Sequence, residues 1–182
     1  MTVWKFRKLV KLYSKEMNLY PIGLLVNPSF SNTPNCYALP KTIIIDSSYL
    51  KLFSLPDAKR LVCHELSHIK HKDKFINKKG IEYKMLNICK EIRADIEGNR
   101  YSKLTDKEIN CVFDVYHKKY NLSKKEAFNL FYPDYLTRIY FVTNFDIFDE
   151  AVLCEILYQY RDFYNPAEEQ SLFKFLEEHL FN

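Results

Sequence analysis

Apolar residues fall at Trp4, Leu9, Val10, Leu12, Tyr13 and Met17, a helical spacing that predicts an amphipathic helix from Trp4 to about Met17. Tyr20 to Val26 (YPIGLLV) is a short apolar run closed by Asn27-Pro28 and reads as a strand. The segment from Asn27 to Asn35 is rich in Pro, Asn and Ser and reads as a loop. Thr42 to Asp46 (TIIID) is β-branched and apolar, a second strand. Ser54 and Asp57 form a helix start signal ahead of AKRLVCHELSHIKH, and a further helix spans about Gly80 to Tyr101. Helical patterning then continues over about 106–120, 123–131, 134–143, 148–164 and 167–181. Asn121, Pro133, Asn144 and Asn165-Pro166 punctuate these pieces. The expected fold class is α+β: a small early sheet followed by a long helical half.

Composition narrows the picture. With 182 residues, 47 % apolar and 27 % charged, the chain is expected to fold around a substantial core rather than remain disordered. No run approaches the roughly 18–20 apolar residues of a membrane span. The N-terminal stretch MTVWKFRKLVKLYSKEM alternates basic and apolar residues and lacks a signal-peptide core, so a cytoplasmic location is expected. Cys36, Cys63, Cys89, Cys111 and Cys154 are scattered and odd in number, and are expected to be buried reduced thiols. A formal charge of +4 is too mild to imply nucleic acid, and the basic run from Lys70 to Lys79 reads as a solvated helix end.

The segment with chemical content is His64-Glu65-Leu66-Ser67-His68. On a helix, positions i and i+4 share a face about one turn apart. Two imidazoles so placed can ligate one Zn²⁺ at about 2.0–2.1 Å each. Glu65, angled around the helix, can reach a metal-bound water and exchange its proton. Chance composition yields H-E-x-x-H in roughly one chain per few hundred of this length. Leu61, Val62, Cys63, Leu66 and Ile69 make the helix mostly apolar, where titratable groups need partners. A catalytic zinc needs a third protein ligand and one open position. His71 lies too far along the helix to converge on the same ion, and the third-histidine arrangement of metzincins is absent. Glu91 on the following helix is the better candidate. Asp95 shares its face and is expected to accept a hydrogen bond from a ligand histidine.

Three separated segments resemble the HtpX-like gluzincins, metallopeptidases that include prenyl-protein-processing enzymes and the small soluble minigluzincins. Asn35 to Pro40 (NCYALP), with the strand after it, resembles the family's N-A-x-A-x-P segment. Residues 64–73 (HELSHIKHKD) resemble H-E-x-x-H-I-x-x-x-D. Glu91 to Gly98 is similar to E-x-x-A-D-x-x-G. The match spans roughly residues 20–101, and Cys36 and Arg93 depart from the family pattern. The resemblance implies zinc on His64, His68 and Glu91, with Glu65 as general base and Asp95 behind the ligands. It also implies that Lys41–Asp46 is an edge strand that pairs with an extended substrate, so Ala38, Ile43, Ile44 and Ile45 are expected to bind it.

The expected architecture is therefore a zincin-like core over 1–104 with an all-helical extension over 105–182, packed as one unit. Its aromatics, among them Phe113, Tyr116, Phe128, Phe131, Tyr135, Tyr140, Phe141, Phe163 and Tyr164, fall at helical spacing and are expected in a core. The expected function is a zinc-dependent endopeptidase acting on a peptide or protein, with no nucleic-acid partner and no membrane span. Two alternatives are a regulatory protease of the ImmA type with one narrow target, and a non-catalytic zincin-fold binding module.

Overall fold

The computed structural model describes residues 1–28, 36–120 and 122–181, with the side chains of 114–120 outside the description. The expected loop at Asn27–Asn35 therefore lies almost wholly outside the described residues, as do Asn121 and the side chain of Tyr116. By internal contacts the chain divides into two compact units, 1–74 with 97–112 and 75–96 with 113–182.

In the first unit, helix α1 (Val3–Glu16) starts at Thr2, whose Oγ1 accepts the Lys5 amide. It buries Phe6, Val10 and Tyr13, one face of the expected amphipathic pattern. Strands β1 (Gly23–Asn27), β2 (Cys36–Leu39) and β3 (Thr42–Asp46) form one sheet in the order β1-β3-β2. β1 runs parallel to β3 with Leu24 opposite Ile43 and Val26 opposite Ile45. β2 runs antiparallel, with Ala38 opposite Ile43 and Cys36 opposite Ile45. The β2–β3 link is Pro40-Lys41, where Lys41 takes φ 62°. A proline followed by a residue at positive φ is the pattern of a type II turn, whose second position usually holds Gly or Asn. Alternation along β3 turns Ile43 and Ile45 into a core shared with Phe6, Val10, Val62 and Leu66.

After a short helix α2 (Ser47–Leu50), helix α3 (Leu55–Lys70) opens with a full capping box between Ser54 and Asp57. Helix α4 (Ile81–Ser102) contributes Ile81–Ile96 to the second unit and Glu97–Ser102 to the first. Within the first unit, Gly98 lies directly on α3. A Cβ at this position would stand 3.0 Å from the His64 amide nitrogen and 3.2 Å from its Cα. Glycine is needed here for proximity, not for an unusual backbone angle.

The second unit is helical. It holds the first part of α4, α5 (Asp106–Tyr120) from Phe113 onward, α6 (Lys124–Asn129), α7 (Tyr135–Asn144), α8 (Glu150–Tyr160) and α9 (Glu169–Leu180). Single 3-10 turns at Arg161–Phe163 and Pro166–Glu168 break the long helical stretches expected there. Ser123, Asp134 and Asp149 cap α6, α7 and α8. Met85, Ile88, Cys89 and Ile92 of α4 pack with Phe128, Phe141, Ile156 and Tyr160. Of the aromatics expected in a core, Phe113, Phe128, Phe141 and Tyr164 are buried and Phe131, Tyr135 and Phe163 half-buried, whereas Tyr140 is exposed. Arg93 is part of this packing too. It is buried, and its guanidinium donates to the Leu180 carbonyl at the end of α9, a favourable place for a cation.

No disulfide joins the five cysteines. Cys63 and Cys89 are buried as expected, whereas Cys111 and Cys154 are exposed. No helix among the described residues is long and apolar enough to cross a membrane.

Gly98→Ala provides a direct measure of the α3–α4 approach. The added methyl favours the helix by about 1 kcal/mol, but it meets backbone that cannot rotate away. A net loss of about 1–3 kcal/mol, typical of overpacking, is expected in urea unfolding.

Candidate metal centre

Helix α3 carries His64, Glu65 and His68, and the first two are buried. The i, i+4 spacing brings the imidazoles edge to face, with Nε2 of His64 and Nε2 of His68 3.1 Å apart. The end of α3 orients the second ring. Lys72 takes φ 54°, and the Lys72 and Asp73 amides donate back to the Ile69 and His68 carbonyls at 3.2 and 2.9 Å. This pair of bonds is a Schellman turn, made here with lysine in the left-handed position. It folds Asp73 back along the helix, so that a carboxylate oxygen lies 3.0 Å from His68 Nδ1. A carboxylate only accepts, so Nδ1 carries the proton and the lone pair of a neutral His68 lies on Nε2, toward His64.

Glu91 sits on α4, and one ligand atom from each of His64, His68 and Glu91 lies within 4.8 Å of the others. Among the described residues, this is the one group of three His, Cys, Asp or Glu side chains so arranged. The donor set fits a divalent ion of the zinc type. Two nitrogens bound tetrahedrally at about 2.0–2.1 Å stand about 3.3 Å apart, close to the 3.1 Å between the two Nε2 atoms.

Glu91 is also fixed from behind. Arg138 of α7 makes a fork to Asp95, Nε to Oδ2 at 2.6 Å and Nη2 to Oδ1 at 2.8 Å. The same guanidinium lies 3.8 Å from Glu91. Asp95 has no exposed surface, and removing one partner of such a buried pair costs about 3–5 kcal/mol. The carboxylate that orients His68 is Asp73, a residue to which the sequence reading assigned no role. Asp95 holds Arg138, a partner 43 positions away that no local pattern announces.

His71, set aside as a ligand on spacing, has its own task. Its Nε2 lies 3.0 Å from Glu97, which also accepts from Lys70 at 2.9 Å and from Ser67 at 2.8 Å. Burial alone would raise the Glu97 pKa. The hydrogen bonds from His71, Lys70 and Ser67 and the charge of His71 overcome it and lower the value to about 2.

The expected substrate strand needs correction. Lys41–Asp46 is not an edge: β3 is the central strand, with β1 on one side and β2 on the other. Ile43, Ile44 and Ile45 are buried, and all three are paired on both sides, so their main chain has no hydrogen-bonding edge for a peptide. Ala38 lies on β2, which is an edge of the sheet. Cys36, on the same strand, lies close enough to Glu65 to feel its charge. Burial first, then the charges of Glu65 and Asp46, push its thiol well above its ordinary pKa. Cys36 is therefore held as a neutral thiol.

Comparison with protein-family models, with curated proteins and with solved structures finds no match.

The Glu97 cluster makes a pH-dependent contribution of definite sign. A carboxylate depressed from 4.5 to about 2 on folding stabilises the protein above the higher value and loses that contribution as pH falls toward the lower. The difference in urea midpoint between wild type and Glu97→Gln is expected to be large at neutral pH and to shrink steadily below about pH 4.5.

Proposed function

We propose that this chain is a zinc-dependent endopeptidase with a zincin-like arrangement, in which His64, His68 and Glu91 hold one Zn²⁺ and Glu65 is the general base. The observation that carries the reading is the convergence of two imidazoles and a carboxylate within 4.8 Å, with an adjacent buried glutamate on the histidine helix. When bound, zinc supplies Lewis acidity, polarising a scissile carbonyl and acidifying the attacking water.

The remaining chemistry belongs to the chain. Glu65 takes the proton of the attacking water and passes it to the leaving amine, so the carboxylate is regenerated in each turnover. Burial of Glu65 keeps bulk water from competing for that proton. Asp73 holds His68 in the tautomer whose Nε2 can act as ligand. Arg138 keeps the charge of Glu91 paired, and its fork to Asp95 fixes its own direction. An extended substrate adds at the β2 edge near Ala38, in place of the interior strand β3. Cysteines without disulfides support a reducing, cytoplasmic setting.

Zinc content measured on the purified chain tests the metal. One ion per wild-type chain and a marked loss in Glu91→Ala are expected. Peptidase assays test the base: Glu65→Gln is expected to keep its zinc while losing a factor of about 10²–10⁴ in turnover. Full activity in that variant, with zinc bound, would sink the reading.

The orienting role of Asp73 has a separate measure. In a chelator-competition titration, Asp73→Ala is expected to bind zinc about 10–100-fold more weakly than wild type.

A further inference from the structure

Helix α1 has two faces, and the core uses only one. Phe6, Val10 and Tyr13 point inward, with Phe6 wholly buried. At 100° per residue, Trp4, Lys8, Lys11, Leu12 and Lys15 fall on the opposite side, with Lys5 and Arg7 on its flanks. All seven are exposed. The helix carries five cations and one anion, Glu16. That excess equals the formal +4 of the whole chain, which leaves the rest of the sequence balanced. The net charge of the protein is thus concentrated on one helix.

A solvated basic helix does not require large apolar side chains on its outer face, yet this one has two. Trp4 is 61 % exposed and Leu12 is 49 % exposed. Lys8 lies 3.6 Å over the Trp4 ring. Beyond the helix end, Tyr20 is 54 % exposed, with Lys15 5.3 Å from its ring centre. An indole and a phenol at the two ends of a lysine stripe, with a leucine between them, match a lipid interface. Aromatic rings settle there at headgroup level, and lysines meet anionic headgroups.

We propose that the outer face of α1 docks this protein onto anionic lipid bilayers. The inner face stays in the core, so the helix lies on the membrane as part of the folded unit and does not insert its buried side. Attraction comes from Lys5, Arg7, Lys8, Lys11 and Lys15, and depth from Trp4 and Leu12. This inference does not rest on the metal centre.

Trp4 is the sole tryptophan of the chain, so its fluorescence reports this face alone. The full-length protein is mixed with vesicles of phosphatidylcholine, with and without about 30 % phosphatidylserine. Expected are a blue shift of Trp4 emission and at least about tenfold tighter co-sedimentation on the anionic vesicles, lost at about 0.5 M salt. The double variant Lys5→Glu/Lys11→Glu should bind at least about tenfold more weakly, with an unchanged unfolding midpoint. Trp4→Ala, read by sedimentation, should weaken binding several-fold while keeping its salt dependence. Equal binding to neutral vesicles, or binding without a Trp4 shift, would overturn the proposal. So would a Trp4 shift with poly-glutamate but none with vesicles, which would make an acidic polypeptide the partner.

Discussion

The arrangement depends on two backbones meeting at one point. Gly98 of α4 rests against the main chain of His64 with no side chain in the gap. Nearby, Glu97 gathers Ser67, Lys70 and His71 from the end of α3. One contact sets distance by steric exclusion, and the other sets rotation through directed, charge-assisted hydrogen bonds. Because α4 is continuous from Ile81 to Ser102, seven residues before Gly98 is almost two whole turns, and Glu91 lies on the same side of the helix as that glycine.

Buried charge is handled consistently along α4. Arg93, Asp95 and Glu97 each meet a partner from another element: the Leu180 carbonyl, the Arg138 fork and the α3 cluster. Ions out of water persist only when other groups replace their hydration. The five cations of α1 follow the opposite rule, remaining in contact with solvent while the apolar side of the same helix fills the core.

Much of this was legible in the order of residues, and the exceptions share a cause. Helical periodicity, the Ser54–Asp57 box and the β-branched run Thr42–Asp46 are local signals, and the elements follow them closely. The strand β2 escaped because it has only four residues and joins β3 through Pro40-Lys41, where lysine occupies a position that normally declares itself with glycine. The resemblance implied an edge at Lys41–Asp46, and β2 on its outer side makes that strand interior. Asp73 escaped for a similar reason: its return to His68 depends on Lys72 adopting a left-handed backbone, which its side chain does not advertise. The fork between Arg138 and Asp95 is a tertiary fact with no sequence-local trace. The grouping of His64, His68 and Glu91 was readable because helical spacing constrains two of them and a shared motif suggests the third.

The left-handed turn at Lys72 has a kinetic side. Helix ends open and close far more often than helix middles, and here the last turn carries His68 together with the carboxylate that steers it. Fraying of that turn would release the amides of Lys72 and Asp73 and free the imidazole to rotate in the same event. The permanence of one ring's direction is thereby tied to the lifetime of two main-chain hydrogen bonds, and amide exchange at those two positions is a clock for it.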